Sequence, residues 1–177
     1  RLTPEAIAVT HTSGRQLTYR ELDQQSNQIA RVLVARGVGR HDFVGVLSNR
    51  GPQMLVAILA VLKAGAAYVP VDPSYPLDRV RYILRHSAVT VLLTDPALSD
   101  MVELLCPASE AEQPALPALQ SLLLLDVASA KQRQPLERIQ PALTVLNPAQ
   151  WRQHSTAALT LTIDPNDNMV VLFTSGS

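Results

Sequence analysis

The sequence predicts an α/β fold in which a mostly parallel sheet is covered by helices. In the first half of the chain, segments with apolar residues at helical spacing alternate with short apolar segments, as in consecutive βα units. The short segments are continuous apolar runs, which is typical of strands buried on both faces. The chain has 177 residues, 47% of them hydrophobic and 17% charged, so it can bury a core and is not a fully disordered protein.

The first helix is predicted over residues 19–36. Thr18 and Glu21 have the spacing of a capping box, in which the threonine oxygen accepts from a free amide and the glutamate accepts from the cap amide. Leu22, Ile29 and Leu33 follow at helical spacing, and Gly37 supplies a stop.

The next elements follow from proline starts, glycine stops and apolar runs. Pro52 suits a first helical position, the following helix is apolar almost all round and therefore buried, and Gly65 ends it. Pro76 and Pro96 open two further helices. The predicted helices are 53–64, 77–86 and 97–105, and the predicted strands are 43–47, 67–71 and 89–93.

The second half of the chain has a less regular pattern. Strands are predicted at 122–125 and 169–173, and residues 143–146 are a candidate for a further strand. The polar and proline-rich sequence between them predicts loops, and residues 107–163 are interpreted as a variable or inserted region.

Composition excludes several classes of function. Fifteen basic and fifteen acidic residues balance without a basic stripe, so we expect no nucleic-acid partner. The four histidines are scattered and there is one cysteine, so no metal site is predicted. The longest apolar run, residues 54–62, is far shorter than the roughly 20 residues of a membrane span, so we expect no membrane partner.

The termini and Cys106 indicate the cellular compartment and whether the chain is part of a longer protein. No signal-peptide pattern precedes the first helix, and a single cysteine fits a reducing compartment, so we expect a cytoplasmic protein. The sequence begins with Arg1 and stops at Ser177 directly after a strand, so we expect a fragment of a longer protein.

Three common motifs of nucleotide and ester chemistry are missing from the sequence. No G-x-G-x-x-G, no G-x-x-x-x-G-K-[ST] and no G-x-S-x-G is present. The dinucleotide-binding, P-loop and α/β-hydrolase interpretations therefore lose their main support, and no catalytic residue is assigned.

The end of the chain carries the chemically most informative pattern. The predicted strand 169–173 leads directly into Thr174, Ser175, Gly176 and Ser177. Hydroxyls and a glycine after a buried strand are typical of a phosphate-binding loop, because the backbone amides can approach phosphate oxygens and the hydroxyls can donate to them. An ordinary polar turn would have the same composition.

The segment from Leu62 to Pro76 contains two charged residues with structural explanations. Lys63 lies at a helix C-terminus, where a cation is favoured by the helix dipole. Asp72 is better explained as a hydrogen-bond acceptor in a loop than as a catalytic carboxylate. A contact of either residue with substrate is the alternative.

Together these segments resemble a known family. Residues 17–22 (LTYREL), residues 62–72 (LKAGAAYVPVD) and residues 172–177 (LFTSGS) resemble, in order and spacing, the first three motifs of the adenylation domains of nonribosomal peptide synthetases. Residues 72–76 (DPSYP) with Arg79 also match that branch of the adenylate-forming superfamily. Where Phe173 stands, a tyrosine is common in the family.

The resemblance implies a fold, a reaction and a set of partners. The chain is expected to be the N-terminal part of the large adenylation subdomain, spanning residues 1–177 and ending within the phosphate loop. Such domains use ATP and Mg²⁺ to convert an amino acid to an aminoacyl adenylate. They then load it on the phosphopantetheine thiol of a carrier-protein domain beside neighbouring synthetase domains. Thr174, Ser175, Gly176 and Ser177 are expected to contact the ATP phosphates, and the first two motifs are expected to be structural.

Two alternatives remain at this point. One is an acyl-CoA or aryl-acid ligase of the same superfamily, which the long segment from Leu62 to Pro76 disfavours. The other is a non-catalytic interaction module with the same fold. In either adenylate-forming case, the fragment alone is predicted to be inactive.

Overall fold

The computed structural model describes residues 3–108 and 115–174. Within these ranges, six α-helices and seven strands account for the regular structure. The helices are α1 Tyr19–Ala35, α2 Pro52–Lys63, α3 Leu77–His86, α4 Ser99–Leu105, α5 Ala130–Leu136 and α6 Pro148–Trp151, with a 3-10 turn at Pro96–Leu98. The strands are β1 Ile7–Thr10, β2 Gln16–Thr18, β3 Phe43–Leu47, β4 Ala67–Val71, β5 Val91–Thr94, β6 Ser121–Leu124 and β7 Thr144–Leu146.

Five strands form one parallel sheet in the order β4-β3-β5-β6-β7, which confirms the predicted fold class. β1 and β2 form a separate antiparallel hairpin that was not predicted. β4 lies on one side of β3 and β5 lies on the other, so the strand order reverses beside β3. The connection after β3 leads to β4 on one side, and the connection after β5 leads to β6 on the other side. A crevice therefore forms between these two connections at the carboxyl ends of the strands.

The sheet is buried on both faces. One core cluster packs helices α3, α4 and α5 against side chains such as Leu92 and Leu122, and the other packs α1, α2 and α6 against Leu93 and Leu123. Neighbouring residues of one strand therefore belong to opposite cores. This two-sided burial explains why the strands are continuous apolar runs in the sequence.

The predicted start of α1 is confirmed in atomic detail. The Thr18 hydroxyl accepts from the Glu21 amide at 3.1 Å, and the Glu21 carboxylate accepts from the Thr18 amide at 2.8 Å. These bonds hold the pKa of Glu21 below its ordinary value, because the carboxylate accepts from the backbone amide and then the hydroxyl of Thr18. The helix ends before Gly37, as predicted.

Two predicted strands are shifted along the chain. The strand expected at 89–93 begins at Val91, because Val89 closes the turn after α3 through a bond from its amide to the Leu84 carbonyl. The side chain of Val89 is buried, although the residue is not part of a strand. The strand expected at 122–125 is Ser121–Leu124.

The region 107–163 supplies part of the sheet. β6 and β7 both lie in it and extend the sheet beyond β5. Trp151 of α6 is fully buried against this extension and donates from its indole nitrogen to the Leu124 carbonyl at 2.9 Å. The helical turn suggested within 128–141 is α5, which packs on α4.

The predicted strand 169–173 is wrong as a full strand. This segment runs parallel to the outer edge of β4 but is bridged to it only at Val170, opposite Tyr68. The Tyr68 amide donates to the Met169 carbonyl and the Val171 amide donates to the Tyr68 carbonyl, both at 3.0 Å. The next outward-facing donor on β4 would be residue 70, which is a proline and has no N–H. Pairing therefore stops after one residue.

None of the helices in the described ranges combines the length and apolar character needed to cross a membrane.

We expect Gly65→Ala to lower the free energy of unfolding by about 1–2 kcal/mol. Gly65 follows α2 with a φ of +79°, and a Cβ there would touch no atom within 4 Å, so the cost is backbone strain alone. Gly39→Ala is the matched control, because Gly39 is equally open and is not in the left-handed region. Urea unfolding midpoints measure both variants. Equal midpoints for the two would show that the left-handed backbone does not stabilise this helix end.

We expect Glu21→Gln to weaken the acid dependence of stability. Because the folded pKa of Glu21 is lowered from 4.5, its contribution is complete above about pH 4.5 and is lost as pH falls through the lower folded value. The wild-type advantage in Tm over Glu21→Gln should therefore be present at neutral pH and shrink in more acidic buffer. Glu137→Gln, at an exposed carboxylate, is the control. A constant difference across pH would contradict the assignment.

Candidate functional site

The carboxyl ends of the parallel strands form the polar edge of the molecule. Ser48, Asp72 and Asp95 each come directly after the last residue of β3, β4 and β5. Open parallel sheets bind ligands at this edge, in the crevice where the strand order reverses. The extended segment that pairs with β4 is parallel to it, so Thr174 also lies towards this edge.

The structure describes one of the four predicted phosphate-loop residues. Thr174 is exposed, and its carbonyl accepts from Nη2 of Arg79 in α3 at 2.9 Å. Ser175, Gly176 and Ser177 lie outside the described residues. The assignment of all four to phosphate binding therefore stays a prediction, and what the geometry adds is the position and the anchoring of the first.

An aromatic cluster holds the residue that precedes Thr174. The Phe173 ring meets the rings of Tyr82 and His86 edge to face, with centroid distances of 6.1 and 5.8 Å. Tyr82 and His86 stack on each other at 5.4 Å. Phe173 also packs on the core between the sheet and α3. Phe173, where the family commonly has a tyrosine, therefore makes its aromatic contacts with side chains of α3.

Asp72 is a loop acceptor, as its place after a strand suggested. Its Oδ1 accepts from the Ser74 amide at 2.9 Å. The pKa of Asp72 is lowered first by hydrogen bonds from Ser74 and, to a smaller extent, by the charge of Arg50. An ionised carboxylate that caps its own loop fixes the turn between β4 and α3, beside the segment that ends at Thr174.

Lys63, in the second motif, bonds to the helix that the first motif begins. Its Nζ lies 2.7 Å from Oδ1 of Asp23, 2.8 Å from Oγ of Ser26 and 2.8 Å from Oδ1 of Asn27. All three acceptors belong to α1, and the lysine lies at the end of α2. The ammonium therefore holds the end of α2 against α1.

The crevice at the strand reversal was not predicted from the sequence. A cavity of about 280 Å³ lies there, between the β3–α2 connection and the residues that follow β5. Asp95 lines this cavity, and its Oδ2 accepts from the Ser48 hydroxyl at 2.8 Å and from the Asn49 amide at 2.7 Å. The crevice depends on strand order, which no local sequence pattern encodes, and so no motif signals it.

The Asp95 carboxylate thus accepts hydrogen bonds from within the protein. Arg15 and Asp126, which also line the crevice, form an ion pair with 2.8 Å between Nη1 and Oδ2. These groups therefore brace the loops against one another. Among the described residues, no cluster of three or more histidine, cysteine or acidic side chains is placed to hold a metal ion.

The whole chain matches one family model. Residues 1–177 match the family described as AMP-binding enzyme.

Curated relatives of the chain are peptide synthetases. It is 52% identical over 98 residues to a plipastatin synthase of Bacillus subtilis (strain 168), an alignment that covers 55% of this chain and 4% of that protein. It is 46% identical over 100 residues to gramicidin S synthase 2 of Brevibacillus brevis, covering 56% of this chain and 2% of that protein. The chain thus spans a small part of the length of these relatives.

Solved structures support the fold. A crystal structure of the nonribosomal peptide synthetase FmoA3 with bound α-methyl-L-serine-AMP aligns with a TM-score of 0.67 and 27% identity, over 98% of this chain and 16% of that one. An anthranilate CoA ligase with bound anthranoyl-AMP aligns with a TM-score of 0.75 and 19% identity, over 98% of this chain and 29% of that one. The latter likeness shows the fold alone.

We expect Lys63→Met to destabilise the fold by about 1–3 kcal/mol, because the buried Asn27 carbonyl oxygen loses a charged donor. Lys131→Met is the matched control, since Lys131 is the other lysine of the sequence and is exposed. Guanidinium midpoints for both variants test the prediction. A Lys63→Met midpoint equal to that of the control would show that this network does not hold α1 to α2.

Proposed function

The chain belongs to the AMP-binding enzyme family, and from this we propose that it is the N-terminal part of the large subdomain of an adenylation domain in a nonribosomal peptide synthetase. The parent enzyme activates an amino acid with ATP to an aminoacyl adenylate and releases pyrophosphate. It then loads the amino acid on the phosphopantetheine thiol of a carrier-protein domain.

The observation that carries this proposal is the identity to peptide synthetases. Identities of 46–53% to plipastatin and gramicidin S synthases hold over 97–100 residues. The CoA ligase that shares the fold is 19% identical. The peptide synthetase branch is therefore better supported than a CoA or aryl-acid ligase.

The chemistry explains what a phosphate loop contributes. When a carboxylate attacks the α-phosphorus of ATP, an oxygen–phosphorus bond forms and the bond to pyrophosphate breaks, so negative charge grows on the leaving group. Amides and hydroxyls placed at the β- and γ-phosphates stabilise that charge. We assign this role to Thr174, Ser175, Gly176 and Ser177, supported by the position of Thr174 towards the carboxyl edge of the sheet.

The remaining parts of the reaction belong to other segments of the parent protein. As the family resemblance implies, we propose that the metal that accompanies ATP is held by residues that follow the phosphate loop in the parent protein. The amino-acid pocket is placed there as well. Residues 107–163 are proposed as the part that varies among relatives, and the domain is proposed to act in the cytoplasm beside carrier and neighbouring synthetase domains.

We expect Thr174→Ala and Ser175→Ala, made in the complete adenylation domain, each to slow amino-acid-dependent exchange of pyrophosphate into ATP by about 10- to 100-fold. Each removes a charge-assisted contact to phosphate worth roughly 1.5–3 kcal/mol. Thr160→Ala, at an exposed threonine elsewhere in the chain, is the control and should exchange at the wild-type rate.

The same assay tests the fragment assignment. The 177-residue chain alone is expected to show no exchange, because the groups that stabilise the transition state act as a unit. Wild-type exchange in both hydroxyl variants would remove the phosphate role from this loop. Exchange by the isolated chain would contradict its assignment as a fragment.

A further inference from the structure

We propose that Arg79 is a positioning residue for the phosphate loop and acts on it through the main chain of Thr174. The inference rests on the function proposed above. It adds a role for a face of α3, defined by Arg79, Tyr82 and His86, that none of the three motifs includes.

The anchoring is needed because the sheet holds the segment weakly. Among the residues that the structure describes, only Tyr68 exchanges backbone bonds with residues 169–171, and Pro70 cannot continue the ladder. Thr174 lies four residues beyond the bridged residue Val170. Its position must therefore be fixed by contacts other than the strand ladder.

Arg79 supplies such a contact. It lies in the first turn of α3, and its Nη2 donates to the Thr174 carbonyl at 2.9 Å. A charged donor makes this bond stronger than one between neutral groups. Because a peptide unit is planar, a bond that fixes the Thr174 carbonyl also restricts the peptide unit that leads into the loop.

The arginine is itself held in place by an aromatic ring. Its guanidinium carbon lies 5.6 Å from the centroid of the Tyr82 ring, within cation–π range. Tyr82 also contacts Phe173, and His86 stacks behind it. One ring thus supports both the donor to Thr174 and the side chain that precedes Thr174.

The chemistry assigned to Arg79 is positional. Its Nη2 bonds to a backbone carbonyl, so the proposed role is to hold the main chain at the start of the loop. Losing it should allow the start of the loop to move away from the phosphates. The expected consequence is weaker use of ATP with little effect on the amino-acid substrate.

The test is steady-state pyrophosphate exchange with the complete adenylation domain. Arg79→Ala is expected to raise the KM for ATP about tenfold, equivalent to a lost bond to a charged donor. The KM for the amino acid should change little. Arg85→Ala is the matched control, because Arg85 lies on the same helix and is exposed, and it should behave as wild type.

A second pair of variants tests the role of the ring. Tyr82→Ala should shift the KM for ATP in the same direction as Arg79→Ala, and Tyr82→Phe, which keeps the ring, should retain the wild-type value. This pair also decides the question if Arg79→Ala lowers the unfolding midpoint. A purely structural role would give no such split between the two substrates.

An unchanged KM for ATP in both Arg79→Ala and Tyr82→Ala would overturn this inference and leave the proposed function intact. Equal increases in KM for ATP and for the amino acid would also overturn it. A wild-type domain without amino-acid-dependent exchange would overturn the proposed function, and this inference with it.

Discussion

The placement of residues 169–174 depends on one residue of the sheet, Tyr68. Its amide and carbonyl together make the two backbone bonds that hold the Met169–Val171 segment against β4. Tyr68 can do this because alternate residues of a strand direct their backbone groups to opposite neighbours, and the Ala67 amide already faces the β3 side through its bond to Asp42. Thr174 is therefore placed towards the carboxyl edge by that pairing and by the side chains around it.

Side chains anchor the segment on both sides of this pairing. At its start, Arg40 pairs with Asp167 at 2.7 Å and with Asp164 at 3.3 Å. Asp167 is the main reason why the pKa of Arg40 is raised. At its end, Arg79 holds the Thr174 carbonyl. A short backbone contact between two side-chain anchors leaves the segment defined in position while Met169 and Leu172 stay exposed.

The sequence predictions succeeded where an element depends on neighbouring residues and failed where it depends on residues far apart in the chain. The strands 43–47 and 67–71 and the start of α1 were found because apolar runs, a capping box and glycine stops are local features. The β1–β2 hairpin was missed because its strands are only four and three residues long and contain no fully buried residue. Residues 169–173 were predicted as a full strand because Pro70, which ends the pairing with β4, lies about a hundred positions away in the sequence. The candidate site shows the same difference between local and long-range features. The hydroxyls and the glycine at residues 174–177 are a local pattern that the sequence displays. The contact between Arg79 and Thr174 joins residues 95 positions apart, and the crevice at Asp95 depends on the order of the strands, so neither could be found from a local pattern.

The contacts made by the first two motifs and the helices they begin and end explain why the two motifs occur together. The first motif caps α1 through Thr18 and Glu21, and the second ends α2 with Lys63, which bonds to Asp23, Ser26 and Asn27 of α1. Two residues after Gly65 the chain enters β4, so a shift of α2 along α1 would also shift Tyr68. Since Tyr68 sets the register of the segment that leads to Thr174, the helix pair determines where the proposed phosphate loop begins.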